Sequence, residues 1–68
     1  MYDLTKLRNE VVKSDLPKQV FAYYLYHAKE KGLIIKTDEG YKFKLFQKRK
    51  FVKYMKENEE KWKKERGL

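Results

Sequence analysis

The chain has 68 residues, with 18 Lys and Arg against 10 Asp and Glu and a net charge of +8; so short a chain buries only about 60% of its unfolded surface, so residues 1–68 are read as a single domain with little room for a catalytic pocket. It has no cysteine and one histidine, His27, which excludes a disulfide framework and the usual zinc ligand sets, and no metal or other cofactor is expected. No apolar run approaches the roughly 20 residues of a membrane span, and the opening MYDLTKLRNE lacks a signal peptide's apolar stretch, so a cytoplasmic protein without a membrane partner is expected.

Stability must then come from the eleven aromatic residues, many for this length, each able to bury roughly 150–250 Å², or from self-association. Leu4, Leu7 and Val11 recur at spacings of three and four and predict a helix over 3–13 with Asp3 as its cap. Ser14-Asp15-Leu16-Pro17 ends it, because a proline disfavours helix in the residue before it and suits the first turn of the next. Over 17–31, Val20, Phe21, Tyr24, Leu25 and Ala28 share one apolar sector at about 100° per residue. The opposite sector mixes Lys18, Gln19, Ala22, Tyr26 and Lys29, with Tyr23 at its border. Gly32 is expected to end this helix in the left-handed conformation.

Two β-prone runs flank Asp38-Glu39-Gly40 and predict a hairpin over 33–46, with a three-residue loop whose glycine takes a positive φ. Pairing Thr37 with Tyr41 places Ile35 opposite Phe43 and Leu33 opposite Leu45, an apolar face, and sends Lys36, Lys42 and Lys44 outward on the other. The last helix, 47–66, carries Phe51, Met55 and Trp62 at helical spacing with Asn58 among them, and Gly67 closes it. Its nine cations and four acids supply +5 of the net +8. The apolar stripe thins towards the end, so the first half is expected to pack on the body and the second half to project or pair. The fold class is α+β, mostly α, in the order α-α-β-β-α.

The stretch SDLPKQVFAYYLYHAKEKGLI, followed by IIKTDEGYKFKLF and preceded by Leu7 on a supporting helix, resembles the second half of a winged helix-turn-helix domain, a family of DNA-binding modules. The likeness covers about 41 of the 68 residues and is partial, since the family's first helix is missing and the long basic C-terminal helix would stand in its place. It implies a winged-helix-like fold in which 17–31 is the recognition helix and the hairpin is the wing. It further implies that Lys18, Gln19, Ala22, Tyr23 and Tyr26 face the major groove, while Lys36, Lys42 and Lys44 contact the neighbouring phosphate backbone.

Fifteen of the 18 cations are lysine, which favours phosphate contacts over base-reading forks. The candidate nucleic-acid-binding residues are Lys18, Gln19, Tyr23, Tyr26, Lys36, Lys42, Lys44, Arg49 and Lys53. Each has a plainer reading: Gln19 and the cations as a solvated surface, Tyr23 and Tyr26 as half-buried packing under the C-terminal helix or as a protein interface. Met55, Asn58 and Trp62 mark a candidate homodimer surface. The carboxylates are scattered or lie beside lysines, and neither Ser14 nor Thr37 has a histidine in a catalytic pattern, so no enzyme is expected. The sequence is read as a small basic nucleic-acid-binding protein, a transcriptional regulator that contacts duplex DNA through helix 17–31 and the hairpin. The alternatives are a small interaction protein of the phage or mobile-element type that binds and modulates a larger protein, and an RNA- or ribosome-associated protein.

Overall fold

Asp3 opens the first helix by accepting the Lys6 amide on Oδ1 at 2.7 Å, the capping role its position predicts. From there the computed structural model, which describes residues 1–67, follows the expected order α-α-β-β-α. α1 is a single turn, Leu4–Lys6, and the chain then widens into a π-helical segment, Leu7–Val11. The Val12 amide reaches back five residues to the Leu7 carbonyl at 2.9 Å. The wider turn changes which side chains face inward: Leu7 and Val12 are buried, while Leu4 and Val11 are only half-buried. Lys13, at a φ of +57°, turns the chain away, and the Arg8 Nε fastens the turn by donating to the Leu16 carbonyl at 2.7 Å.

α2, Lys18–Glu30, follows directly on Pro17 and buries Phe21, Leu25 and Ala28, and Gly32 ends it with a φ of +78°. The hairpin that follows is shorter than 33–46 and its register differs by one residue from the sequence pairing. β1, Ile35–Thr37, runs antiparallel to β2, Gly40–Lys42, with Thr37 opposite Gly40, Lys36 opposite Tyr41 and Ile35 opposite Lys42. The loop is therefore two residues, Asp38 and Glu39.

Two interactions, one within the turn and one from the N-terminus, favour this register. The Thr37 hydroxyl donates to the Gly40 carbonyl at 2.9 Å and accepts the Glu39 amide at 3.3 Å, closing the tight turn. On the free edge of β2, Tyr2 exchanges two backbone hydrogen bonds with Tyr41, at 2.9 and 2.7 Å, as a one-residue third strand. Because side chains alternate along a strand, Ile34 and Lys36 of the first arm and Tyr41 and Phe43 of the second share the side that faces the core. Ile34 is accordingly buried and Ile35 is not, and Leu45, predicted to pack opposite Leu33, is left in solvent.

α3, Gln47–Glu65, lies along α2 and closes the core with Phe51 and Met55. Phe51 meets Phe43 at a centroid distance of 5.2 Å, and Phe43 meets Tyr2 edge-on at 5.5 Å. Phe21 and Phe51 are fully buried, and burial of such a ring stabilises by about 1.5–3 kcal/mol. The second half of α3 does not project. The turn after the π segment holds it: Lys56 Nζ donates to the Lys13 carbonyl at 3.1 Å, the Ser14 hydroxyl donates to Glu59, and Lys63 Nζ pairs with Asp15 at 2.7 Å.

The stripe read as a dimer surface is thereby occupied within the chain. Met55 is 1% exposed, and Trp62 packs against the core with Arg66 stacked 4.4 Å from its ring. Asn58 Nδ2 donates back to the Tyr54 carbonyl at 2.8 Å. Among the described residues, no helix is long and apolar enough to cross a membrane.

Candidate nucleic-acid interface

All nine candidate residues are exposed, but they fall in separate places. On α2, Gln19 and Tyr23 line a shallow recess with Trp62, Glu65 and Arg66 from the end of α3. Tyr26 follows on the same outer side, with Lys29 Nζ 5.0 Å from its ring, and His27 packs edge-on against Tyr23 at 4.5 Å. Tyr24 turns inward between the two helices; burial pushes its phenol above the ordinary range and Glu65 adds to the effect. This region has only a small positive surplus, since Lys18–Lys31 carries three lysines against Glu30 and the recess itself sets Glu65 beside Arg66.

The hairpin lysines do not form one cationic face. Lys36 is paired with Tyr41 and shares its side of the ribbon, where its Nζ lies 5.3 Å from the tyrosine ring. Lys42, one residue on from Tyr41, points to the other side. The one-residue change in register separates them, so a flat partner cannot meet Lys36 and Lys42 together.

The positive charge is concentrated from β2 into the first half of α3. Gly40–Lys56 contains seven cations, Lys42, Lys44, Lys48, Arg49, Lys50, Lys53 and Lys56, and no acid, so this one segment holds +7 of the net +8. The rest of the chain carries eleven cations against ten acids, a surplus of one. All seven are exposed. Among the described residues only Lys56 of this set reaches a carboxylate, Glu59 at 4.0 Å, and Lys48 Nζ touches the Tyr2 hydroxyl at 3.5 Å. Charge taken element by element hides this, because the helix 47–66 averages an acid-free first half with a second half that holds all four of its acids. A running charge sum finds it directly.

The segment is also organised in space. Arg49, Lys53 and Lys56 recur at three and four residues, a stripe on α3 roughly opposite Phe51 and Met55. The first turn of α3 carries Lys48, Arg49 and Lys50 and no acid, at the end where the helix dipole is already positive. Beside it, Leu45 and Phe46 are 80% and 81% exposed, and Phe46 is held at a φ of +67°. Phe46, Lys48, Arg49, Val52 and Lys53 line a second shallow recess.

Family models, curated proteins and solved structures were all compared with the chain, and none matches. The site rests on its own chemistry. Among the described residues no group of three or more His, Cys, Asp and Glu is arranged to hold a metal ion. The Ser14 hydroxyl is engaged, donating to Glu59 and accepting the Leu16 amide at 3.1 Å. What remains available is a dense set of exposed cations around two bare apolar side chains, and such a surface attracts a polyanion.

Proposed function

We propose that the protein binds nucleic acid, duplex DNA in the first instance, with the acid-free segment Gly40–Lys56 as its main contact surface. The observation that carries the reading is the concentration of +7 in one segment, of which six cations make no ion pair among the described residues. Lys42, Lys44, Arg49 and Lys53 contact phosphates and position the protein without reading sequence, as lysine-rich surfaces do. The winged-helix reading puts α2 in the major groove and gives the phosphate contacts to Lys36, Lys42 and Lys44 of the hairpin. The placement of charge favours β2 and the first half of α3 instead, because the recess around Gln19 and Tyr23 has little charge of its own with which to lead the binding.

Titration of a 20-base-pair duplex at two salt concentrations tests the reading. Binding through five or six phosphates predicts a log–log salt slope of roughly −5, and removing one phosphate contact, as in Lys53→Ala, is expected to reduce that slope by about 0.9 for every sequence alike. No binding at low salt, or binding indifferent to salt, overturns it. Single-stranded RNA run as competitor distinguishes an RNA-directed role: displacement of the duplex at equal concentration favours the RNA reading.

A second reading is favoured by a different observation. Tyr23 and Tyr26 are more than half exposed, beside a recess whose Glu65 and Arg66 offset one another, and tyrosine is enriched where proteins meet. That face suits a protein partner. Recovery of one stoichiometric protein from nuclease-treated lysate, lost in Tyr23→Ser but retained in Lys53→Ala, supports this second role.

A further inference from the structure

We infer that Leu45 and Phe46 form an apolar wedge that enters the minor groove of duplex DNA and opens a base step. The inference rests on the nucleic-acid reading above and adds how the duplex is engaged. Apart from Met1, these are the only exposed large hydrophobic side chains among the described residues that lack a polar tip. They are neighbours in sequence, at the end of the connection from β2 and immediately before α3.

Their backbone is informative. Phe46 sits at a φ of +67°, a conformation that bulky residues adopt only at a cost and that glycine or asparagine adopts readily. The chain thus holds a strained phenylalanine in water, where a smaller polar residue would relieve both the strain and the exposure. Packing within the chain does not account for it, since neither Leu45 nor Phe46 is among the residues packed against the core.

The surroundings select the partner. Lys44 and Lys48 lie two residues to either side of Phe46, and Arg49 and Lys53 share its recess with Val52. A bare apolar tip within a cationic rim needs a partner with an apolar slot between anionic edges. The minor groove has that form: phosphates line a groove about 6 Å wide, and its base steps accept Phe or Leu side chains that unstack and kink the duplex. A second copy of this chain is disfavoured, because like rims would face each other. An anionic bilayer has complementary charge, but two side chains offer less apolar surface than a single myristoyl chain, which by itself anchors only marginally. Pyrimidine–purine steps such as TA unstack most easily, so they are the expected sites of entry.

The test uses the full chain, a 20-base-pair duplex with one central TA step, 2-aminopurine beside that step, and a fluorophore at each end. Wild type is expected to raise 2-aminopurine emission and bring the ends together. Phe46→Asn and the double variant Leu45→Ser/Phe46→Ser are expected to lose both signals and to bind about ten-fold or more weakly, with an unchanged salt slope because every cation remains. Thermal melting establishes that the variants are folded, and Phe46→Asn is expected to melt no lower than wild type. Equal affinity and equal bending in wild type and variants overturn the wedge while leaving backbone binding in place. Absence of duplex binding by wild type at low salt overturns the nucleic-acid reading and the wedge with it. Tighter binding to phosphatidylserine-containing vesicles than to the duplex, lost in Phe46→Asn, overturns the wedge in favour of a lipid surface.

Discussion

A methyl group on Gly40 would lie 2.7 Å from the Tyr2 carbonyl oxygen, in a backbone held at a φ of +138°. The glycine is needed less for the turn than for the approach of the N-terminal strand, which crosses the β2 edge at that point. Gly40→Ala is expected to destabilise by about 1–3 kcal/mol, from the strained φ together with displacement of Tyr2. Urea unfolding measures the loss, and amide exchange at Tyr41 should rise by more than at Leu25 if Tyr2 has detached. Gly32 differs, since a methyl group there would have nothing within 4 Å, so only its left-handed φ resists substitution. Phe46 presents the opposite case: a residue strained in place with no packing in return.

Among the elements, α3 carries the clearest conflict between stability and binding. Lys48, Arg49 and Lys50 stand in its first turn with no acid, where cations oppose the helix dipole and one another. Phe46, the residue before the helix, makes no side-chain capping hydrogen bond. Arg49→Glu should therefore stabilise the fold, by about 0.5–1 kcal/mol at low salt, while weakening duplex binding several-fold. Thermal melts and DNA titrations on the same variant check both signs. A loss of stability would show that Arg49 is engaged in packing that its exposure conceals. The second half of α3 carries the opposite arrangement, with acids and bases mixed and Glu59 reaching the buried Ser14.

The whole molecule is elongated, 36 × 19 × 19 Å, close in length to one turn of B-DNA at roughly 34–36 Å. The two ends of α3 are built differently, the start cationic with Lys48, Arg49 and Lys50, the second half tied by polar contacts to residues 13–15. The Asp15–Lys63 pair closes that second end. Its hydrogen bond from Lys63 holds the Asp15 carboxyl below its usual range, and the same bond holds the Lys63 ammonium above its own. A lowered carboxyl stabilises above its unfolded value of about 3.9 and loses that contribution as pH falls through the folded value; a raised ammonium stabilises below about 10.4 and loses its contribution as pH rises through the folded value. Asp15→Asn should accordingly melt lower than wild type near pH 7 and converge with it as the pH falls through the folded value of the Asp15 carboxyl. The effect is small, because the Asp15 side chain is 72% exposed and solvent screens the pair.

Elements bounded by strong local chemistry were legible from the residues alone. The Asp3 cap, Pro17 before α2, Gly32 after it and the inward stripe Phe21, Leu25 and Ala28 all depend on contacts within one or two turns, which the spacing of residue types encodes. The order α-α-β-β-α followed from the same signals. Hairpin register was not legible, because Ile34 and Ile35 are chemically interchangeable and the choice between them is made by Thr37 closing a two-residue turn and by Tyr2, a residue distant in sequence, pairing with Tyr41. The fate of Met55 and Trp62 was likewise undecided: an apolar stripe on a helix reads alike whether it meets its own chain or another, and only the return of α3 against residues 13–15 assigns it inward. The cationic segment lay in the sequence throughout, but its bare apolar tip did not, since Leu45 and Phe46 look like core residues until the ladder ends before them and leaves both side chains in water.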